Sequence, residues 1–539
     1  MRVGFKAVDG PSGGCLRYGC SARAAACMLA VLVLAACGGG GDSASPTPAP
    51  PPGVSPGIPS SALPRIEPYE RSAVIPQDPA SLRSQAMTPQ AVVETGSVPL
   101  IALGSPETSP PLDAGPAGAR AVAIGRRRHL EALRDEGATA GVLAWQATAS
   151  GGAIASLRLR SEGAAGVRIG LRVLALPPQA LVSVRGQGVF ERVSGAQILA
   201  ALERNGQAAQ RSPREPSPLP AHGQGLAGSK PEAAGDEGDD PRLYWLPAAS
   251  GQEALLQIEL PAGVDPGAVR VAVPHLAHLW WTHAAARAGI VPKIGESGGC
   301  NADATCSPDY DAQARSVARM EFMRGGFAYL CTGTLMADVA ASGLPYFLTA
   351  QHCIGDQTTA SSLSTYWFYR ASACNSGALD TAATSVHGGA ALLQASVSND
   401  TSLLRLLQSP PARAVHAGSL LAPVERGTTL AGLHHPGGDL LKLSVGTLDA
   451  YARCDQTRCE AVSGDGDFLS VRWRSGTTES GSSGSPVFAT LGSRRYVTGH
   501  LFAGTASCQQ PDATDFYGRF DKAYPALRPW LGAVPGAPG

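Results

Sequence analysis

Apolar positions along this chain fall into regimes that predict different structures. The first is an unbroken apolar run, Ala24 to Ala36, preceded by the basic residues Arg2, Lys6, Arg17 and Arg23. At 13 residues it is too short to cross a bilayer, which takes about 20, and it suits the core of a signal peptide occupying 1–37. Across 38–90 large apolar residues become rare among Gly, Pro and Ser. Such a stretch cannot bury enough surface to offset its ordering entropy, so it reads as a disordered tether. Between 91 and 285 the pattern changes again. Ser156 to Arg160, Val167 to Leu176, Leu181 to Arg185, Leu255 to Leu260 and Val269 to Val273 are short runs with partial alternation, bounded by Gly and Pro. These predict strands of a β-rich, sandwich-like domain. Within it, 205–240 is polar and low in complexity and reads as a disordered insertion.

Length and charge narrow the classes. A chain of 539 residues is long for a single core, so two folded units with linkers are expected. Basic and acidic residues balance at 43 each, so no global field favours nucleic acid or another polyanion. Four of the 12 cysteines lie within the first 37 residues. The other eight, Cys300, Cys306, Cys331, Cys353, Cys374, Cys454, Cys459 and Cys508, all lie in the last part of the chain. An even number there, in an exported chain, reads as disulfides, with roughly 105 pairings open to eight cysteines. Zinc is the competing use of cysteine, but neither a CxxC pair nor an HExxH motif occurs, and no metal or other cofactor is expected.

That same part carries nucleophile chemistry. Gly481-Ser482-Ser483-Gly484-Ser485-Pro486 has the form of a serine nucleophile loop. Thr349-Ala350-Gln351-His352-Cys353 supplies a base, and Ser398-Asn399-Asp400-Thr401 supplies an acid. A serine hydroxyl is a poor nucleophile until an imidazole takes its proton, and the imidazole needs a carboxylate to hold its tautomer. Each motif alone is weak: a Gly-Ser turn, a packed histidine and an Asn-Asp turn are common. Together, in the order His352, Asp400, Ser483, they predict a hydrolase. Ser485 also follows a glycine, but the Gly-x-Ser-Gly-x-Pro pattern selects Ser483.

The surrounding residues resemble the lysyl endopeptidase group of secreted bacterial serine proteases, relatives of trypsin. The matching segments are Cys331-Thr332-Gly333-Thr334-Leu335, Tyr346 to Cys353, His434-His435-Pro436, Trp473 to Pro486, Gly499 to Cys508, Asp515 to Phe520 and Leu527 to Leu531. The resemblance implies a mainly β fold, with a trypsin-like double β-barrel over 294–535; the position of the β-rich region before it suggests a pro-domain, with a carbohydrate-binding or adhesive module as the alternative. The resemblance implies peptide cleavage after basic residues through an acyl-enzyme, with the amides of Gly481 and Ser483 as the oxyanion hole. It selects the pairs Cys300-Cys508, Cys306-Cys374 and Cys331-Cys353, leaving Cys454 and Cys459 to pair locally. Asp515 would meet the substrate's basic side chain, with Thr477, Phe502 and Gly504 around it. Phe502 and Ala503 depart from the family pattern of His and Gly, so lysine and arginine both stay open. Ser482 stands where trypsin keeps the aspartate that pairs with its new N-terminus, so removal of a blocking pro-domain is the simpler activation. His434 and His435, on opposite faces of an extended strand, read as structural.

Two alternatives stay open: a glutamyl-type endopeptidase, and a surface-anchored binding or adhesion lipoprotein with an inactive protease fold. Lys293 is the basic residue nearest the start of the protease-like part, so a cut after it would leave Ile294 as a new N-terminus. The partners expected are protein or peptide substrates and, through lipid, a membrane; the protein is expected to be monomeric.

Leu34-Ala35-Ala36-Cys37 resembles a bacterial lipobox, in which the cysteine is acylated and becomes the first mature residue. Gly38 follows it, without the Asp that commonly retains such proteins at the inner membrane, so an outer-membrane or cell-surface location is expected. Cys37→Ser should move the protein from the membrane to the soluble fraction on cell fractionation, because several acyl chains anchor stably and none would remain. An unchanged membrane fraction would refute acylation at this residue.

Overall fold

Alternating burial along single strands explains most of the architecture. In the strand Glu253–Leu260, Ala254, Leu256, Ile258 and Leu260 are buried, and the residues between them are half-buried. A period of two turns one face of such a strand to the core. The computed structural model describes residues 63–70, 98–106, 121–187, 189–211, 240–281, 295–455 and 458–537. The expected signal, lipobox and Lys293 lie outside them.

The N-terminal region forms two sheets. One contains Ala153–Ser161, Glu253–Leu260, Leu181–Gly186 and Val189–Ser194, with Leu100–Leu103 added parallel to the first. The other contains Leu243–Trp245, Gly166–Ala175 and Arg270–Leu279. Leu157, Leu159 and Ile258 from the first pack with Ile169, Leu171 and Val273 from the second in one core. Each strand expected from the alternation is present within three residues at each end, except that the expected Val269 to Val273 extends to Leu279.

One strand escapes the alternation. Val122–His129 contains Arg126-Arg127-Arg128, a polar run that hides its periodicity. It pairs antiparallel with Arg270–Leu279 on one side and with Phe327–Met336 of the protease-like part on the other. This bridging strand joins the N-terminal region and the protease-like part in a single 12-stranded sheet. Gly125 permits it, since a Cβ there would lie 2.5 Å from Leu279 Cδ2.

Buried polar groups seal the same junction. Arg168 is fully buried, donates through Nε to Leu246 O at 2.8 Å and through Nη2 to Ser362 O, and lies 3.7 Å from Glu321. Glu321 in turn accepts from Tyr366 Oη at 2.8 Å. Removing one member would leave a buried charge unpaired, a cost of about 3–5 kcal/mol. The Arg319 guanidinium lies over Trp281, Tyr366 and Tyr369 at 4.1, 4.6 and 4.0 Å, contacts that gain strength when desolvated.

The protease-like part is mainly β, the expected class. Thr429–His434, Lys442–Cys454, Phe468–Ser475, Thr514–Arg519, Arg494–Gly504 and Pro486–Leu491 pair in a ring that closes on itself. Ala390–Ser396, Thr401–Leu406, Tyr346–Ala350, Phe327–Met336, Val317–Arg324 and Ser364–Trp367 form an open half-barrel. Disulfides join Cys300 to Cys508, Cys306 to Cys374, Cys331 to Cys353 and Cys454 to Cys459.

Two expectations need correction. Residues 205–211 do not belong to a disordered insertion: they end the helix Gly195–Arg211, whose buried Ile198, Ala201 and Asn205 form one face. Asn205 looks like a loop residue by type, but its Oδ1 accepts from Ser361 Oγ of the protease-like part at 2.7 Å. Residues 63–70 are likewise not tether. Arg65–Ile66 pairs with Ser419–Leu420 and Tyr69–Glu70 with Val415–His416. Ile66 is buried, the Tyr69 ring stacks on His416 at 4.5 Å, and Glu67 accepts from Arg494 at 2.7 Å and from Tyr496 at 2.8 Å. Composition averaged over 38–90 conceals these eight residues, which find their partners only in the folded chain.

If this strap is part of the fold, Ile66→Ala should lower unfolding stability by about 2–4 kcal/mol in urea titration, the usual loss for a buried aliphatic. A change within about 0.5 kcal/mol, as for a surface residue, would show that the segment is only tether.

Candidate active site

The half-barrel sets the base and the acid side by side. Tyr346–Ala350 and Thr401–Leu406 are antiparallel with Ala350 opposite Thr401, so His352 follows one strand where Asp400 precedes the other. Gln351 N donates to Asp400 O at 2.7 Å and His352 N to Asp400 Oδ1 at 2.9 Å, while His352 Nδ1 lies 2.8 Å from Oδ2. The carboxylate is thus held by the backbone and can only accept, which puts the ring proton on Nδ1 and leaves Nε2 as a base. Asp400 adopts φ +55°, a left-handed conformation that Asp tolerates better than most residues.

His500, which the sequence reading did not single out, lies behind this pair. Its Nε2 is 3.0 Å from Asp400 O and 3.3 Å from Thr401 Oγ1, and burial pushes its pKa down. A lone histidine in a strand gives no sequence signal of such a contact.

The nucleophile loop is shaped by two glycines, Gly481 at φ +93° and Gly484 at φ +79°. A Cβ at 481 would meet His435 O at 3.0 Å and Gly438 N at 3.1 Å, so the position is closed to larger residues. Thr332 ties the loop to the half-barrel, donating through N to Ser483 O and through Oγ1 to Gly481 O, both at 2.9 Å. Among the described residues the amides of Gly481 and Ser483 donate to no protein group. Ser483 Oγ and His352 Nε2 are both buried and make no hydrogen bond, either to each other or elsewhere. Such contacts often tighten only when substrate is bound. Ser485 has its backbone committed to closing the loop, its N–H donating to Ser482 O and its carbonyl accepting from Leu501 N.

Ser482 takes part in a neutral chain. Ser444 Oγ donates to Thr477 O at 2.7 Å, so it accepts from His434 Nε2 at 3.0 Å, and His434 Nδ1 accepts from Ser482 Oγ at 2.8 Å. Burial pushes the His434 pKa down to about 3, which keeps that ring uncharged. His435 turns the other way, its Nδ1 2.9 Å from Asp439 O. The loop is therefore braced without an ion pair. The sulfurs of Cys331 and Cys353 lie near the His352 ring, but they are bonded to each other.

Asp515 lies within the closed ring and is fully buried. Its Oδ2 accepts from Trp473 Nε1 at 2.6 Å and Thr478 Oγ1 at 2.7 Å, and its Oδ1 from Ala506 N at 3.2 Å. Gly504 is directly opposite, and a Cβ there would lie 1.9 Å from Oδ1. Thr477, expected beside the carboxylate, is buried, but its hydroxyl donates to Thr478 O; its neighbour Thr478 makes the contact with Asp515. Phe502 packs instead against the His352 ring at 6.2 Å and Phe468 at 5.1 Å. Trp473 and Thr478 lie in the matching segment Trp473 to Pro486, but their contacts with Asp515 follow from how that segment folds against Thr514–Arg519.

Three comparisons bear on this arrangement. The family described as lysyl endopeptidase, C-terminal domain, matches residues 294–518. The family described as lysyl endopeptidase N-terminal domain matches 107–218 and 219–280. A curated lysyl endopeptidase from Pseudomonas aeruginosa is 33% identical over 307 residues, 54% of this chain and 64% of that protein. The chain thus aligns with just under two thirds of that relative's length. Among solved structures, the active form of the Rv3671c protease from M. tuberculosis aligns at 18% identity and TM-score 0.30, covering 44% of this chain and 89% of that one. The HtrA-type protease AlgW with tripeptide aligns at 15% identity and TM-score 0.29, covering 41% and 62%.

Burial raises the Asp515 pKa to about 7, with Thr478, Trp473 and Ala506 opposing the shift. Unfolded, the same carboxyl titrates near 4, roughly 3 units lower. Below pH 4 both states hold the proton and burial carries no ionic cost; between about 4 and 7 only the unfolded chain releases it. Stability from this group therefore falls across that window, by about 4 kcal/mol in all. Between pH 4 and pH 8, the stability of Asp515→Asn relative to the unsubstituted protein should shift by about that amount in favour of the variant, measured by urea titration. A difference independent of pH would refute the raised pKa.

Proposed function

Because this chain is lysyl endopeptidase-like in both its N-terminal and its C-terminal domain, we propose that it is a serine endopeptidase cutting peptide bonds after basic residues, lysine, arginine or both. The observation that carries the reading is His352 held at two points by Asp400, its Nε2 uncommitted, in a site where Ser483 Oγ and two loop amides are also uncommitted. In the proposed reaction Ser483 Oγ bonds to the scissile carbonyl carbon as its proton passes to His352 Nε2. The amides of Gly481 and Ser483 hold the oxyanion, worth several kcal/mol in comparable sites. Collapse breaks the C–N bond, and the imidazolium returns the proton to the leaving amine. Water then takes the amine's place and repeats the sequence, freeing the acid and Ser483.

Asp515 is the proposed reader of the basic side chain. Its Oδ1 accepts from Ala506 N at 3.2 Å, and a carboxylate oxygen can accept more than one hydrogen bond, so this atom is the proposed acceptor for an ammonium or guanidinium. An arriving cation would favour the ionised carboxylate, whereas an uncharged side chain would leave it without a counter-ion.

The reading extends to anchoring and maturation. Cys37 carries lipid at the outer membrane or cell surface, and a cut after Lys293 separates the anchor-bearing region from the catalytic part. The strap at 63–70 then matters, because it lies on the anchor side of that cut and pairs with Val415–His416 and Ser419–Leu420 on the other. Release of the catalytic part would require those strands to part.

Ser483→Ala should lower proteolysis by at least about a thousandfold and abolish labelling by a fluorophosphonate probe, while Ser485→Ala keeps a measurable rate. The reverse result would move the nucleophile to Ser485. Mass spectrometry of a protein digest should find cleavage after Lys, Arg or both. Cleavage after Glu would overturn the specificity in favour of a glutamyl-type enzyme.

A further inference from the structure

The bridging strand also reaches the catalytic site. Its first residue, Val122, is buried, and its Cγ2 lies 3.2 Å from the position a Cβ on Gly481 would occupy. Val122 is paired antiparallel with Leu330. Leu330 stands two residues before Thr332, which bonds the nucleophile loop at Gly481 and Ser483. Ala121, just before it, packs on the cluster that contains Cys331 and Cys353. These cysteines are bonded to each other, and Cys353 follows His352. Ala121 and Val122 thus lie against the half-barrel cluster that includes Cys353 and against the loop at Gly481.

The chemistry assigns that path. The leaving amine must take its proton from His352 Nε2, so residues after the scissile bond pass on the side of His352 and the Cys331–Cys353 disulfide. An extended peptide there gains affinity by adding a strand to an available sheet edge. The edge beside the loop is Phe327–Met336 at Leu330, and the bridging strand already occupies it. Building on the serine endopeptidase reading above, we infer that Ala121-Val122 fills the leaving-group side of the cleft in the manner of a bound substrate, so that the N-terminal domain blocks peptide substrates by strand addition.

The placement also characterises the subsite. It takes a small residue first and a branched apolar residue second, on an extended backbone. The block is firm because the pairing continues, across a bulge at Ile124, as far as Arg126 opposite Phe327, and the strand is held on its other edge by Arg270–Leu279. It is also selective. A reagent that needs only Ser483 and a small leaving group does not compete with Val122, whereas a peptide running past the scissile bond does.

The test uses the intact chain carrying Lys293→Gln to suppress the proposed self-cutting, with and without Val122→Asp. Two rates are read: labelling of Ser483 by a fluorophosphonate, and cleavage of a fluorogenic peptide extending three residues past its basic residue. A carboxylate at this buried position should expel the strand, raising peptide cleavage about tenfold or more relative to labelling. Val122→Ala should shift the ratio in the same direction by less, and decides the matter if the Asp variant fails to fold by circular dichroism. A new N-terminus at Ala121, after Arg120 in the sequence, would be further support. Labelling of both chains with an unchanged peptide rate would overturn this inference alone. Absence of labelling in both, and in the chain without Lys293→Gln, would overturn the endopeptidase reading and this one with it.

Discussion

A strand edge in a folded protein must have its N–H and C=O groups paired, covered or left to water, and that requirement organises this molecule. The half-barrel presents the edge of Phe327–Met336 beside the nucleophile loop, and the bridging strand Val122–His129 pairs with it. Near Val415–Leu420, the strap at 63–70 adds two short strands. In both places the N-terminal part of the chain completes the backbone hydrogen bonding of the C-terminal part. The side chains at the junction follow from this. Once the sheets are joined, Arg168 and Glu321 lose water together, and the Arg319 guanidinium is enclosed by three aromatic rings.

The catalytic half solves a different problem, which is how to keep polar groups both buried and correctly protonated. His434 is neutral because burial opposes its charge, and as a neutral ring it can accept from Ser482 while donating to Ser444. A charged brace at Ser482 would need a counter-ion generated by chain cleavage; this one is complete in the intact chain. His352 receives the opposite treatment, with a carboxylate against Nδ1 and a free Nε2. Asp515 is buried with three donors, yet desolvation outweighs them and leaves it titrating near neutrality. One principle, the cost of charge in a low-dielectric interior, sets His434 and Asp515 alike.

Two features bear on how such a protein would be switched on. The loop that holds Ser483 is braced by neutral hydrogen bonds and by Thr332, so it does not depend on a new chain end. Val122 packs against the loop at Gly481, and under the inference drawn above control would rest on strand pairing, whose strength is spread over many residues, and not on forming the site anew.

The sequence alone determined the strand-rich classes and pointed to the proposed chemistry. Gly481-Ser482-Ser483-Gly484, His352 and Asp400 are legible because each needs a particular residue type in a short local context, and the strands of 153–273 are legible because burial of one face imposes a period of two. The tertiary structure decided which segments complete which edges. Arg126-Arg127-Arg128 hides a central strand, since these arginines follow no alternation. The residues at 63–70 look like spacer until Ile66, Tyr69 and Glu67 meet partners more than 200 residues away. The helix at 195–211 is polar by composition yet buries Asn205. Trp473 meets Asp515 because Phe468–Ser475 pairs with Thr514–Arg519, and Thr478 meets it from the segment that follows that strand. Each of these depends on a long-range backbone pairing or on desolvation by a distant element, and a local pattern carries no record of what a residue will face once water has been removed.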